Sequence, residues 1–470
     1  MMLHAVSSIA TPATPRLGGS EIGAIEKMRN QLEAKRYRNM SRQLYYDQKV
    51  LLKDLRISVP PQLRSMESVL GWPAKTVDVL ADRIHFERFV APGKTEDPFG
   101  LDEMVNANDF RKAFDEAVTS ALTHSCAFIT VSHGQTTAGE PEILWQVKSA
   151  HTATGLWDPR RRALSAGLAV TGYDLEGTPN QYVAYFMDKV VILSIGAGGR
   201  VIPEIIPNPT GRVLMEPVVA GADLRRPFGR SRISRAVMSL TDSAIRTIVR
   251  SEIGAEFFAS PQRYVLGAEP DAFANSKWSA LISRVLEVSR DEEGQIPEVG
   301  QFSQLSMQPH TDQLRQWAAL LAAESQIPLD ELGFPSDNPS SDSAIQSQRD
   351  PLRLAADRMI RGFTSSLHRL AYTSVILRDG RAQDGLERVT GWFAPTLHVS
   401  DAAAADAVLK QVTVMPWLAE SPVILEKLGY SQSAIERLLA DKRRAQGVSA
   451  LAQLRTSTPS PVPDTEGTDM

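Results

Sequence analysis

The chain has 470 residues, 43% of them hydrophobic, and sets 51 Lys and Arg against 55 Asp and Glu for a net charge of -4. That is apolar material for two or three ordinary domains with buried cores, and it gives no global positive field to draw the chain onto nucleic acid or an anionic membrane, so any DNA contact must be local. The single cysteine, Cys126, has no intramolecular disulfide partner, which fits a reducing compartment, and no run of about 18 uncharged apolar residues marks a membrane span.

The opening MMLHAVSSIATPATPRLGGS lacks a basic start followed by an unbroken apolar core, and reads as a flexible arm over 1–20 with no secretory signal. From 20 to 47, Ile22, Ile25, Met28 and Leu32 recur at helical spacing against Lys27, Arg29, Lys35 and Arg36, predicting an amphipathic helix with a solvated basic face. A second helix is expected from about Met66 to Ile84, with Trp72-Pro73 inside its first turns, and a third from about Asp109 to Leu122. Between Cys126 and Val219 the runs CAFITVS, EILWQVK, GLAVTGYD, YVAYFM and VVILSIG, separated by Gly, Pro and Asn turns, predict an antiparallel β region. Within it, GAGGR at 196–200 lacks the Lys-Ser/Thr of a phosphate-binding loop and sits between strands, so it reads as a hairpin turn.

Residues 232–260 contain no proline and place Ile233, Val237, Leu240, Ala244, Ile248 and Phe257 near one face, a helix of about 40 Å. TDQLRQWAALLAAES at 311–325 supplies a second, with Leu314, Trp317 and Leu321 as its stripe, and the two are expected to pair as a column. Between them lies a small α/β excursion: PQRYVLG, a helix around WSALISRVLEVSR, the acidic turn DEEGQIPEVG and a strand-like QFSQLSM. The polar stretch ELGFPSDNPSSDSAIQSQRD at 331–350 then leads to a long helix capped by Ser341 or Ser343, with Leu352, Ala356, Met359, Phe363, Leu367 and Leu370 at helical spacing and a kink expected at Pro351. Two or three helices follow from Ala402 to Arg444, broken at Pro416 and Pro422, before a Pro-, Ser- and Thr-rich acidic tail over 446–470 that reads as disordered. The class is α+β and mainly helical.

Chemistry-bearing motifs are sparse. The eight histidines include no pair at three- or four-residue spacing, and no nucleophile elbow, HExxH or Walker A sequence is present. Neither a metal nor a cofactor is expected. The string His124-Ser125-Cys126 falls where a helix runs into a strand, and a buried packing role is its default. Basic residues concentrate at Arg225, Arg226, Arg230, Arg232 and Arg235 in LRRPFGRSRISR, which could grip phosphate or pair with acids of a neighbouring chain at a subunit interface. Acidic ones gather at Asp291, Glu292, Glu293 and Glu298, a surface that would repel DNA.

In their order along the chain, YYDQKVLLKDLRISVPPQLRSMESVLGWPAKTVDVLADRI (45–84), PFGRSRISRAVMSLTDSAIRT (227–247), EFFASPQRYVLG (256–267) and IPLDELGF (327–334) resemble tailed-phage portal proteins, in particular the branch common in phages of actinobacteria. The resemblance implies a portal fold: a wing of helices and antiparallel strands over 21–230, stem helices at 231–260 and 309–328, a clip at 261–308, a tunnel loop at 329–343, a kinked helix over 344–380 and C-terminal wing or crown helices over 381–445. It implies a ring, usually of twelve subunits, at one capsid vertex in the virion, assembled in the host cytoplasm. Double-stranded DNA would pass through it without sequence specificity during packaging and ejection. The implied partners are the terminase large subunit, a head-tail connector or adaptor, and the major capsid and scaffold proteins, with no membrane.

On that footing the stretch at 331–350 has a physical logic. A loop lining a DNA conduit must touch a polyanion without holding it, since every phosphate neutralised by a fixed cation adds affinity that a sliding duplex must break. Ser336, Asp337, Asn338, Ser340, Ser341 and Asp342 are short, hydrated, and neutral or acidic, and Gly333, Pro335 and Pro339 keep them out of the flanking helices. The acids from Asp291 to Glu298 would face docking partners. The expectation is a conduit that hydrolyses nothing, ATP turnover belonging to a separate terminase motor. Two alternatives stand beside it: a DNA-processing enzyme, nuclease or recombinase, with an oligomerisation stalk, motivated by the arginine cluster and scattered carboxylates, and a different virion ring such as a head-tail adaptor.

Overall fold

The computed structural model describes residues 17–50, 68–93, 97–196, 200–258, 263–266, 298–301, 306–335, 342–396, 401–430 and 432–456. Contacts divide the chain into two units, Met1–Thr396 and Leu397–Met470. Residues 1–16 and 457–470, most of the expected arm and the end of the expected tail, lie outside the described residues.

In the first unit the stripe of Ile22, Ile25 and Met28 is the buried face of α1 (Gly19–Tyr46). It packs on Ala166, Leu168, Ala184, Val191, Leu193 and Val201 of a β-sheet. The second helix, α2 (Trp72–Ala81), is shorter than the periodicity suggests, because Pro73 stands at its N-terminal turn. There its missing N–H costs nothing and its fixed φ favours helix initiation, so Trp72-Pro73 starts the helix where continuation from Met66 was expected. β1 (Phe86–Val90) and α3 (Leu101–Ala107) follow, neither marked by the sequence patterns above, and then α4 (Phe110–His124).

The β region comprises β2 (Cys126–His133), β3 (Ile143–Ser149), β4 (Ala153–Asp158), β5 (Ala163–Tyr173), β6 (Pro179–Tyr185), β7 (Lys189–Ile195), β8 (Val201–Pro207) and β9 (Met215–Val219). Every pairing is antiparallel, but the strands form two sheets, β3-β2-β9 and the meander β4-β5-β6-β7-β8. The Gly196 N–H donates to the Arg200 carbonyl at 2.9 Å where the β7–β8 ladder ends, so this stretch joins two strands of a hairpin.

α5 (Arg235–Phe258) starts three residues later than expected, with the Ser234 hydroxyl accepting the Val237 N–H at its N-terminus. β10 (Arg263–Leu266) pairs antiparallel with β11 (Glu298–Gln301), so a strand occupies EVGQ and shares Gln301 with the expected QFSQLSM; residues 302–305 of that stretch, and 267–297 with the expected helix, lie outside the described residues. Gly300 faces Tyr264 in this ladder, and a Cβ there would stand 2.3 Å from the tyrosine ring, so any larger residue would have to turn the ring aside. α6 (Gln308–Ser325) and α7 (Asp342–Asp379) complete the long helices. α7 continues through Pro351 and buries Leu352, Ala356, Phe363, Leu367 and Leu370.

The main core is aromatic where β1 and α4 meet α7. Phe86 lies 5.0 Å from Phe89, 5.5 Å from Phe110 and 6.0 Å from Phe393 between ring centroids. Phe393 arrives on β12 (Thr390–Phe393), which pairs antiparallel with β1 from the other end of the unit. Trp145 of β3 packs edge-on against Phe110 and donates its indole N–H to Ser374 of α7 at 2.8 Å, so the one polar atom of a buried ring is satisfied.

The second unit holds α8 (Asp401–Val414), α9 (Val423–Lys427) and α10 (Gln432–Thr456) around Val408, Leu418 and Ile424. Pro416 opens a 3-10 turn after α8, and Pro422 precedes α9.

Candidate functional site

The five arginines of LRRPFGRSRISR form an elbow between β9 and α5. Its first turn is built by Asp223, whose Oδ1 accepts the backbone N–H groups of Arg225 and Arg226, both at 2.8 Å. Gly229 then brings the chain back against itself: φ is +69°, and a Cβ would lie 2.0 Å from the Ala220 carbonyl oxygen. This fold-back lets the Arg230 N–H donate to that carbonyl at 2.8 Å.

The arginines separate into two groups. Arg225, Arg226, Arg230 and Arg235 are exposed, and only Arg230 has a carboxylate partner among the described residues, Asp223 Oδ2 at 2.6 Å. Arg232 turns inward. Its backbone N–H donates to the Leu122 carbonyl at 2.8 Å, its Nε to the Thr76 carbonyl at 3.2 Å and its Nη2 to the Ser325 carbonyl. Burial pulls its pKa below the usual arginine value. One guanidinium thus joins α2 and the end of α6 to the elbow.

The elbow launches α5 against α6. Val237 and Ala244 of α5 and Ala318 and Leu321 of α6 share a cluster with Trp72 and Leu332. The Trp317 indole N–H donates to the Thr247 hydroxyl at 3.2 Å, and that hydroxyl lies 3.2 Å from Gln313 Oε1. Small residues at 244 and 318 allow close approach, and the polar link sits at the edge of the apolar seam.

Of the other expected site residues, Ser336, Asp337, Asn338, Ser340 and Ser341 lie outside the described residues, as do Asp291, Glu292 and Glu293. Asp342 is the first residue of α7. Glu298 opens β11, is exposed and pairs in register with Leu266. Of the expected site residues, the described ones that come together are those of the elbow, beside the two helices.

His124 and Cys126 are both buried. Burial pushes the Cys126 thiol up to about 11, which keeps it protonated and unreactive at neutral pH. The His124 ring packs edge-on against His151 at 4.5 Å, with its Nε2 3.0 Å from Gln43 Oε1. Sequence spacing gave no sign of this pair. It also missed a second convergence of arginines, Arg161, Arg212 and Arg369, around one cavity; the run DPRRRA was the visible signal. Among the described residues no group of three or more His, Cys, Asp or Glu is placed to hold a metal ion, and no helix is long and apolar enough to cross a membrane.

A family model described as phage portal protein, SPP1 Gp6-like, matches residues 25–447. The chain belongs to this portal family. Its portal relatives include the portal protein of Mycobacterium phage L5, 27% identical over 384 residues, covering 78% of this chain and 77% of the relative. The portal protein of Mycobacterium phage D29 is 27% identical over 381 residues with the same coverage. Among solved structures, the chain is similar to one from the neck of a native GTA particle computed with C12 symmetry, with a TM-score of 0.43 and 12% identity over 78% of this chain and 90% of that one. The neck of an empty GTA particle computed with C6 symmetry gives a TM-score of 0.44 and 13% identity over 74% and 86%. The portal match takes in the elbow, both helices of the α5–α6 pair and α7.

Proposed function

We propose that the chain is one subunit of a closed portal ring, set at a capsid vertex, through which double-stranded DNA enters during packaging and leaves during ejection. The observation that carries this reading is the portal-family match from residue 25 to residue 447. In it, α5 and α6 are the stem, residues 261–308 the clip, residues 329–343 the tunnel loop and the β region with its covering helices the wing. The subunit works by shape and surface and turns over no nucleotide.

The elbow fits the part. Arg225, Arg226 and Arg235 hold exposed charge with no carboxylate partner among the described residues, on a backbone fixed by Asp223 and Gly229. A guanidinium fork on a rigid turn suits an acid of the next subunit, and Leu320 and Leu354, 47% and 54% exposed on α6 and α7, are apolar surface of the kind that ring closure covers. Asp291, Glu292, Glu293 and Glu298 would meet the terminase motor and later a connector, with capsid and scaffold proteins around the wing.

The test is assembly in a charge-reversed background. Arg225→Glu with Arg226→Glu should stop ring formation while leaving the subunit folded by circular dichroism, because neither side chain is buried. Rings formed by the double variant as readily as by the unaltered chain would remove the elbow from the interface.

A further inference from the structure

The cavity between the two sheets' connecting turns and α7 has a volume of about 380 Å³ and is lined by Arg161, Arg212 and Arg369 together with Glu216, Leu164 and Met187. Each arginine reaches it from a pinned support. Asp158 Oδ1 accepts the N–H groups of Arg160 and Arg161 at 2.9 and 3.3 Å, which shapes the DPRRRA turn between β4 and β5. Asn208, buried, donates to the carbonyls of Phe186 and Arg212 at 3.1 and 2.6 Å, and its Oδ1 accepts from the Thr210 hydroxyl at 2.7 Å, which fixes the loop between β8 and β9. The Arg212 guanidinium then lies 4.2 Å over the Tyr372 ring. Stacking holds the plane and leaves the edge donors available.

The charges do not cancel. Glu216 is buried and paired with Arg369 Nε at 2.8 Å, and burial raises its pKa against the pull of Arg369 and Arg212. Among the described residues Arg161 meets the carboxylate of Asp158 at 3.9 Å, and its Nη1 rests against Met187 Sδ. Arg161 and Arg369 are thus set against Asp158 and Glu216, and the third lining guanidinium, Arg212, is held over a neutral ring. An excess of one positive charge, carried on fork-shaped donors in a concave site, suits the several acceptor oxygens of a phosphate group, and the volume takes a phosphate with several waters, each needing about 30 Å³.

We infer that the Arg161–Arg212–Arg369 cavity is a binding site for a phosphate monoester group, either free or at the 5′ end of a polynucleotide. The inference stands on the cavity alone and is independent of the portal reading. Isothermal titration of the full chain with inorganic phosphate, at constant ionic strength against chloride, should give saturable binding that weakens about tenfold or more in Arg212→Gln and in Arg161→Gln. Both side chains are on turns whose backbone bonds the substitutions leave intact, and the melting temperature without phosphate checks that the variants fold. Competition with a duplex carrying 5′-phosphates, against the same duplex with 5′-hydroxyls, assigns the source: selective competition by the phosphorylated duplex points to a polynucleotide end, and equal competition or none to a free phosphate compound. Absence of saturable phosphate binding, or binding that both variants retain at full strength, would overturn the site.

Discussion

Arg232 donates its Nε–H to the carbonyl of Thr76 at 3.2 Å, across 156 residues of chain. It does so from the middle of a string of exposed arginines, and its Nη2 donates to the Ser325 carbonyl. The structural arginine and the surface arginines of LRRPFGRSRISR are therefore distinguished by what lies opposite them. Arg232→Met should leave the Ser325 carbonyl at the end of α6 unpaired at about 1–3 kcal/mol and strip a second donor from the Thr76 carbonyl, whereas Arg225→Met should stay within about 0.5 kcal/mol. Denaturant midpoints of the two variants check the contrast, and equal midpoints would contradict it.

Gly229 is required by its backbone. At φ +69° with the Ala220 carbonyl 2.0 Å from the site of a Cβ, Gly229→Ala forces the elbow open at a cost of about 1–3 kcal/mol. Gly211, also at positive φ but with open space around it, is the control: alanine there meets backbone strain without a clash and should cost less. Thermal melts of the two variants rank them, and the reverse order would refute the fold-back.

The His124–His151 pair makes stability depend on pH. Burial first, then the neighbouring His151 and Arg42, hold His124 at about 3 against an ordinary 6.5. Between those values the unfolded chain takes up a proton that the folded chain refuses. The stability associated with His124 is thus complete above about pH 6.5 and is lost as the pH falls toward about 3, at no more than about 1.4 kcal/mol per pH unit from this one group. Urea titrations at about pH 7 and about pH 5 should show a smaller loss for His124→Gln than for the unaltered chain. An identical loss in both would show that His124 titrates normally in the fold.

The tunnel-loop assignment carries a salt signature. If Asp337 and Asp342 face a sliding duplex, replacing both with lysine adds phosphate contacts, each steepening the fall of log K with log salt by about 0.9. Retention of linear DNA by assembled rings across a salt series measures the slope. A slope unchanged by the double substitution would place these residues away from the duplex.

Periodicity carried much of the fold, because helix faces and alternating strands are local. Ile22, Ile25 and Met28 announced the buried side of α1, and Leu352 to Leu370 that of α7. What escaped was set by distant partners. β1 and β12 are each short and pair across some 300 residues, and neither has enough alternation to declare itself. EVGQ was hidden in an acidic turn because its strand character comes from the ladder with β10, where Gly300 accepts the Tyr264 ring. Burial of Arg232 and the meeting of Arg161, Arg212 and Arg369 depend on which turns come together in space. The family resemblance was legible because it rests on the order of four stretches along the chain, which needs no tertiary information.

The central claim is the ring, and native mass measured together with negative-stain images of the purified chain at moderate salt tests it most directly. Closed rings with a central hole, at a mass near twelve subunits, are the predicted result. A monomer or dimer that stays so at high concentration, with no ring in the images, would contradict the account.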